Sequence, residues 1–269
     1  MSELTPTEIP CKNWAHFCEV LRHKDGTPID SVWRGHADAA WPLVAPAMRA
    51  RYDGIMTSRK HGMDSALDGH RPPPDQIQYF RRLATGLPGI DVSKLEWVDL
   101  AALARHHGLI SNLLDWTESP YIAAFFAFAA ALDRANAGRV FSGTLAHSAI
   151  YPVESHVAIW RLSTAAEAYT PGEFEFLSSL SSVNYWQKAQ RGHFTQLTHR
   201  DHLDVTSYLV SRGQLGHLTK FVLPGREAGR ILGELETMNI SFATLFPDFQ
   251  GAARQANLAS ALIILGFGM

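Results

Sequence analysis

Apolar positions recur at helical spacing early in this chain and in strand-like runs later, and that order predicts its architecture. Trp14, Phe17, Val20 and Leu21 fall on one face of a helix over Asn13–Arg22, with Asp25-Gly26 as its stop. Ile29–Gly35 is a short β-rich run, and Pro42 and Pro46 break the stretch after it. Residues Tyr52–Pro74 carry Gly, Pro, His and charge without period and are expected to form a mobile surface loop. A helix after Pro74 puts Ile77, Phe80, Leu83 and Ala84 on one side and closes at Gly86-Leu87-Pro88-Gly89. Another spans Leu95–His107 and stops at Gly108.

Beyond Gly108 the run LISNLLDW is short and apolar, and Thr117-Glu-Ser-Pro120 then opens a helix that stays apolar through Leu132. A helix apolar on every side is a buried one. The segment His106–Phe128 therefore predicts a buried strand-turn-helix unit. Strands are expected in Gly138–Pro152, His156–Ser163, Gly192–Leu197 and Gly216–Leu223, followed by a charged helix over Pro224–Glu236 and a closing helix over Phe249–Leu262. Helices first and strands later predict the α+β class, with central mixed or antiparallel sheets, packing helices and a helix-rich N-terminal half.

Composition narrows the function classes. At 269 residues and 46% hydrophobic, the chain is long enough to bury a substantial core and is expected to be one globular body. Lys and Arg number 24 against 26 Asp and Glu, so the net charge of -2 supplies no general attraction to nucleic acid. The cysteines, Cys11 and Cys18, form no Cys-x-x-Cys pair, which argues against a disulfide scaffold or zinc ribbon and makes a cytoplasmic setting the default. The N-terminal MSELTPTEIP does not read as a secretory signal, and no apolar run reaches the roughly 20 residues of a membrane span.

Three constellations carry candidate chemistry. In Trp33-Arg34-Gly35-His36 a permanent positive charge follows a strand beside a glycine, which suits a phosphate or carboxylate; an internal ion pair of Arg34 is an equal reading. In His106-His107-Gly108 through Ser111, Asp115, Trp116 and Thr117, polar groups sit between core-bound positions and must find partners. Asp115 and Thr117 either face a ligand or, for Asp115, cap the next helix. In Tyr185-Trp186 through Gln190-Arg191-Gly192, a helix passes into a strand, and its aromatics either hold a flat heterocycle or pack in the core. Adjacent histidines on a helix lie about 100° apart, and no His-Glu-x-x-His spacing occurs, so no metal is expected.

In this order the three segments resemble the FRG-domain family, over roughly residues 30–250. Trp33-Arg34-Gly35 is similar to its aromatic-Arg-Gly motif, HHGLISNLLDWT to its His-aromatic-Gly-Leu-Pro-Thr-Arg-Leu-Leu-Asp-Trp-Thr segment, and Gln190-Arg-Gly192-His-Phe194 and Thr244-Leu-Phe-Pro-Asp248 to its later patterns. The chain departs from the pattern at Ile110-Ser111-Asn112, where the family has Pro-Thr-Arg, so a second arginine is missing from the motif. A more distant resemblance, to ADP-ribosyltransferases, implies a site around NAD with no metal. In that reading Arg34, Asp115 and Gln190 are catalytic, and Arg34, Gly35, His107, Ser111, Trp116, Thr117 and Tyr185 bind the cofactor. It implies glycosyl transfer to an unknown macromolecular acceptor by a bacterial toxin or defence effector. The alternatives are a non-catalytic domain that recognises a nucleotide or a partner protein, and an RNA-targeting toxin, for which clustered acidic ligands and a basic face are lacking.

Overall fold

The computed structural model describes residues 5–23, 30–49, 52–53, 76–143, 152–178, 185–199 and 201–267. Among the described residues, seven strands and ten α-helices follow one another: β1 (Thr7–Pro10), α1 (Trp14–His23), β2 (Ser31–His36), α2 (Gln76–Ala84), α3 (Trp97–His106), β3 (Leu113–Thr117), α4 (Pro120–Ala135), α5 (Arg139–Ser142), β4 (His156–Ser163), β5 (Phe174–Leu177), α6 (Tyr185–Gln190), β6 (Gly192–Leu197), α7 (Val205–Ser211), β7 (Leu218–Pro224), α8 (Ala228–Thr237), α9 (Phe242–Leu245) and α10 (Phe249–Ile264). The strands form a single sheet in the order β1-β7-β4-β2-β3-β6-β5. Among the described strands only β1 against β7 is parallel, so the protein is α+β with a mixed, mainly antiparallel sheet.

Period-two alternation assigns the strand side chains to two faces. On β4, Val157 and Ile159 join one core cluster with α4 and α8, while Ala158, Trp160 and Leu162 join another with Val32, Leu114, Trp116 and Tyr208. Burial on both faces is why HVAIWRLS reads as a nearly continuous apolar run. A third cluster gathers Leu113 and Phe194 of the sheet with Leu100, Leu103 and Trp186.

The apolar helix α4 lies directly on β2. Ser119 caps it, its Oγ accepting from the Ile122 amide (3.3 Å), with Pro120 in the first turn where a missing N–H costs nothing. Asp115 therefore does not cap this helix. A Cβ on Gly35 would lie 2.0 Å from the Ala123 carbonyl oxygen and 2.8 Å from the Ala127 amide nitrogen. The glycine of the Trp-Arg-Gly motif and the alanines of α4 together permit this contact, and every larger side chain there would push helix from sheet.

Some expectations needed correction. The strand expected from Gly138 begins instead as the single turn α5, bracketed by Gly138 and Gly143 with φ of 76° and 70°, a backbone conformation that ends both helix and strand. Residues 144–151 lie outside the described residues, as does 54–74 of the expected loop. Strands β2 and β3 fall in the Ile29–Gly35 run and the His106–Phe128 unit as expected, and β1 is a strand that the pattern did not predict.

Gly35→Ala is expected to destabilise the fold by about 3 kcal/mol or more, a drop of roughly 6–12 °C in Tm. Thermal unfolding followed by circular dichroism checks this, and a Tm equal to that of the parent would contradict the contact.

Candidate functional site

Asp115 is the centre of a charged cluster built from three elements. Strands β2 and β3 share only the Trp33–Thr117 pair, while β2 continues along β4 and β3 along β6. Into this splay Arg34 sends its guanidinium: Nη1 donates to the Asp115 carbonyl oxygen (2.7 Å) and lies 3.6 Å from Asp115 Oδ2. From α3, Arg105 grips the same carboxylate through two donors, Nε to Oδ1 (2.9 Å) and Nη2 to Oδ2, and its Nη1 donates to Ser111 Oγ (3.0 Å). A two-pronged guanidinium–carboxylate contact is both stronger and more directional than a single ammonium bond.

The two arginines are nearly enclosed, with side chains 13% and 14% exposed, whereas the Asp115 side chain is 48% exposed. The cluster is therefore open to solvent on the carboxylate side. Burial lowers the Arg34 guanidinium to about 10, against the attraction of Asp115, so it stays charged at neutral pH. Burial pushes the Asp115 carboxyl up, but Arg105 and Arg34 outweigh it and hold the carboxyl below its ordinary value. Arg49 lies within electrostatic reach of Arg105 and Asp115, with Asp53 beside it, and makes no ion pair or side-chain hydrogen bond among the described residues. Three guanidiniums thus face two carboxylates.

His36 completes the Arg34 environment. Arg34 Nε donates to His36 Nε2 (3.1 Å), which makes that nitrogen an acceptor, while His36 Nδ1 lies 3.3 Å from both the Trp41 carbonyl oxygen and the Trp160 indole Nε1. Burial and the neighbouring Arg34 hold His36 well below the usual histidine value, which keeps it the neutral acceptor this bond requires.

The remaining candidates separate into two groups. Gly35 faces α4, Trp116 is buried with Nε1 donating to Thr195 Oγ1 (2.9 Å), and the Thr117 hydroxyl donates to the Gln190 carbonyl (2.7 Å). The Gln190 amide donates to the Leu245 carbonyl (3.0 Å). Among the described residues, none of the Trp116, Thr117 and Gln190 side chains hydrogen-bonds to Arg34 or to the Asp115 carboxylate. The other group is aromatic: His106 stacks on Trp186 (centroids 3.6 Å apart), His107 meets the Trp186 edge, and the half-exposed Tyr185 lies 4.0 Å from it. Trp186 Nε1 donates to Asp248 Oδ2 (2.9 Å), and Asp248 caps α10 by accepting from the Gly251 amide (2.7 Å). A cavity of about 220 Å³ beside Lys12, His156 and Arg226 is lined by none of the candidate residues.

Sequence reasoning overlooked Arg105. The signal was present: the family motif's arginine is absent at Asn112, and Arg105 is the only arginine between Trp97 and Thr117. Ten residues before Asp115, on the last turn of α3, it returns a second positive charge to the cluster.

Replacing Arg105 with Met should cost about 1–3 kcal/mol at pH 7, less than a fully buried pair because Asp115 is half exposed. The folded carboxyl lies below its unfolded value, so this stabilisation is complete above roughly pH 4 and is lost as pH falls through the folded value. Urea unfolding of both proteins at pH 7 and pH 2.5 checks the sign: a difference that grew on acidification would contradict the pairing.

No curated protein and no solved structure matches the chain. Residues 30–136 match the FRG domain. That span contains β2, α3, β3 and α4 and with them Arg34, Arg105 and Asp115, while β4 to β7 of the same sheet lie beyond it. Over residues 30–136 the chain carries the pattern of an FRG domain.

Proposed function

We propose that the Arg34–Arg105–Asp115 cluster binds the phosphates of a nucleotide, with NAD as the ligand and glycosyl transfer from NAD to an acceptor as the reaction. The observation that carries this reading is the excess of guanidinium over carboxylate around a half-exposed Asp115, with Arg49 held by no hydrogen bond or ion pair among the described residues. Planar guanidiniums match pyrophosphate oxygens in geometry as well as charge. In this reading the half-exposed Tyr185 ring, backed by the buried Trp186 and His106, meets a base or nicotinamide ring.

Nicotinamide departs as the ribose carbon gains oxocarbenium character, so the protein's work is to orient the ribose and to stabilise positive charge. In this reading Asp115 is the carboxylate that does that work. Phosphate oxygens compete with Asp115 for the guanidiniums, and each hydrogen bond they take leaves more of the carboxylate's charge for the ribose. A specific observation favours a second reading, a domain that recognises a nucleotide without turning it over: Asp115 is already gripped by two arginines, and the Gln190 amide is engaged at Leu245.

Calorimetric titration with NAD, alongside an assay for free nicotinamide, separates the readings. Saturable binding with nicotinamide release supports the transferase, and binding without release supports recognition alone; absence of binding overturns both. Arg49→Ala is the informative variant, because Arg49 is exposed and ties no strands together, whereas removing Arg34 would also strip a hydrogen bond from β3. It should weaken binding by about tenfold, or 1.4 kcal/mol, with an unchanged Tm. Undiminished affinity would remove Arg49 from the site.

A further inference from the structure

We infer that Ser178, His193 and Glu118 form a second, separate site with the arrangement of a serine nucleophile, its general base and a positioning carboxylate, and that it acts on acyl esters. The three residues come from adjacent strands. Leu177 of β5 pairs with Phe194 of β6, which brings Ser178, one residue past β5, beside His193. Thr117 of β3 pairs with Gly192 of β6, and the Glu118 amide donates to the Arg191 carbonyl (3.0 Å), which brings Glu118 to the other side of the same histidine.

The contacts have the sense that nucleophilic catalysis requires. Ser178 Oγ lies 2.9 Å from His193 Nδ1, and His193 Nε2 lies 3.0 Å from Glu118 Oε1. An ionised carboxylate only accepts, so Nε2 carries the ring proton and donates it; Nδ1 is then the lone-pair nitrogen, and the Ser178 hydroxyl donates to it. The imidazole plane is held by stacking on Phe176, with centroids 5.0 Å apart and planes 29° apart. Glu118 is held from behind by Arg191 Nε at 3.3 Å. Arg191 has a φ of 50°, a conformation uncommon outside glycine, at the turn that carries the chain from α6 into β6. His193 is 19% exposed in its side chain and Ser178 is exposed, so an incoming carbonyl can reach the hydroxyl.

In the reaction, Ser178 Oγ bonds to the ester carbonyl carbon while its proton passes to His193 Nδ1, and Glu118 stabilises the resulting imidazolium. The ester C–O bond breaks, the leaving alkoxide takes the proton from Nδ1, and an acyl-serine remains. Water then attacks that acyl carbon, giving its proton to Nδ1 and receiving the acyl group; Ser178 regains the proton as the carboxylic acid departs. Ester and water thus become acid and alcohol, with no redox change. Ser178 and His193 are the reacting groups, and Glu118 acts through His193.

Incubating the full chain with an alkyl fluorophosphonate and mapping the adduct by peptide mass spectrometry tests this. One phosphonyl group on Ser178 is expected, with none on Ser178→Ala. His193→Gln should slow labelling by about a hundredfold, a general base contributing roughly 10²–10⁴. Glu118→Gln should slow it less, with an unchanged Tm, and Glu118→Asp should recover part of the lost rate; a purely structural role would let the isosteric glutamine keep the parent rate. An unlabelled parent protein, labelling that persists in Ser178→Ala, or an unaltered rate in His193→Gln would overturn the proposal.

Discussion

The half-exposed carboxylate of Asp115, held by Arg105 and Arg34, connects the parts of this structure that matter for function. Strands β2 and β3 share one residue pair and then diverge, so among the described residues the polar backbone on that side of β3 has no further strand partner. Arg34 supplies the missing donor to the Asp115 carbonyl, and α3 contributes Arg105 to the side chain. Either arginine alone would leave the other group of Asp115 without its partner. Both together join a helix and two strands at one point, and that point still faces solvent. An anion arriving there meets donors already fixed in place, which reduces the ordering cost of binding.

The apolar frame keeps this arrangement in register. Gly35 and the alanines of α4 allow helix and sheet to meet at a distance no larger side chain permits, and the neighbouring Arg34 points to the opposite face by strand alternation. Close packing and charge placement are thus two consequences of one tripeptide, Trp33-Arg34-Gly35: the first buried beside Phe221, the second in the polar cluster and the third against α4. Thr117, Gln190 and Leu245 form a chain of hydrogen bonds from β3 through α6 to α9, and Trp186 joins α6 to the cap of α10. Motif residues far apart in sequence therefore serve partly to hold the later helices against the β3–β6 pair.

Much of this organisation was legible in the sequence because it rests on local signals. The all-apolar α4 after Ser119-Pro120, the helix ending at His106 before Gly108, and the β4 run buried on both faces each carry a period or a punctuation residue. What escaped lacked such a signal. Strand β1 is an edge strand of four residues, TEIP, mostly exposed and without alternation; it exists because β7 offers it a parallel partner. Strand β5 is equally short, and α7 depends on tertiary contacts of Val205, Tyr208 and Leu209. Candidate site residues were harder still. Trp116 and Asp115 are neighbours in sequence, yet strand alternation sends one ring into the core and the other side chain into the charged cluster, and no composition argument distinguishes them. Arg105 acts across a fold of the chain, so only the spatial turn from α3 to β3 reveals it.

The most direct test of the account is an NMR titration of the Asp115 side-chain carboxyl carbon, alone and with saturating NAD. The two guanidiniums require a midpoint below the ordinary carboxylate value of about 3.9 in the free protein. Phosphates that draw those guanidiniums away and add negative charge require the midpoint to rise when NAD is bound. A free-protein midpoint at or above that ordinary value would contradict the arginine grip on Asp115, and a midpoint unmoved by NAD would contradict its role in holding a nucleotide.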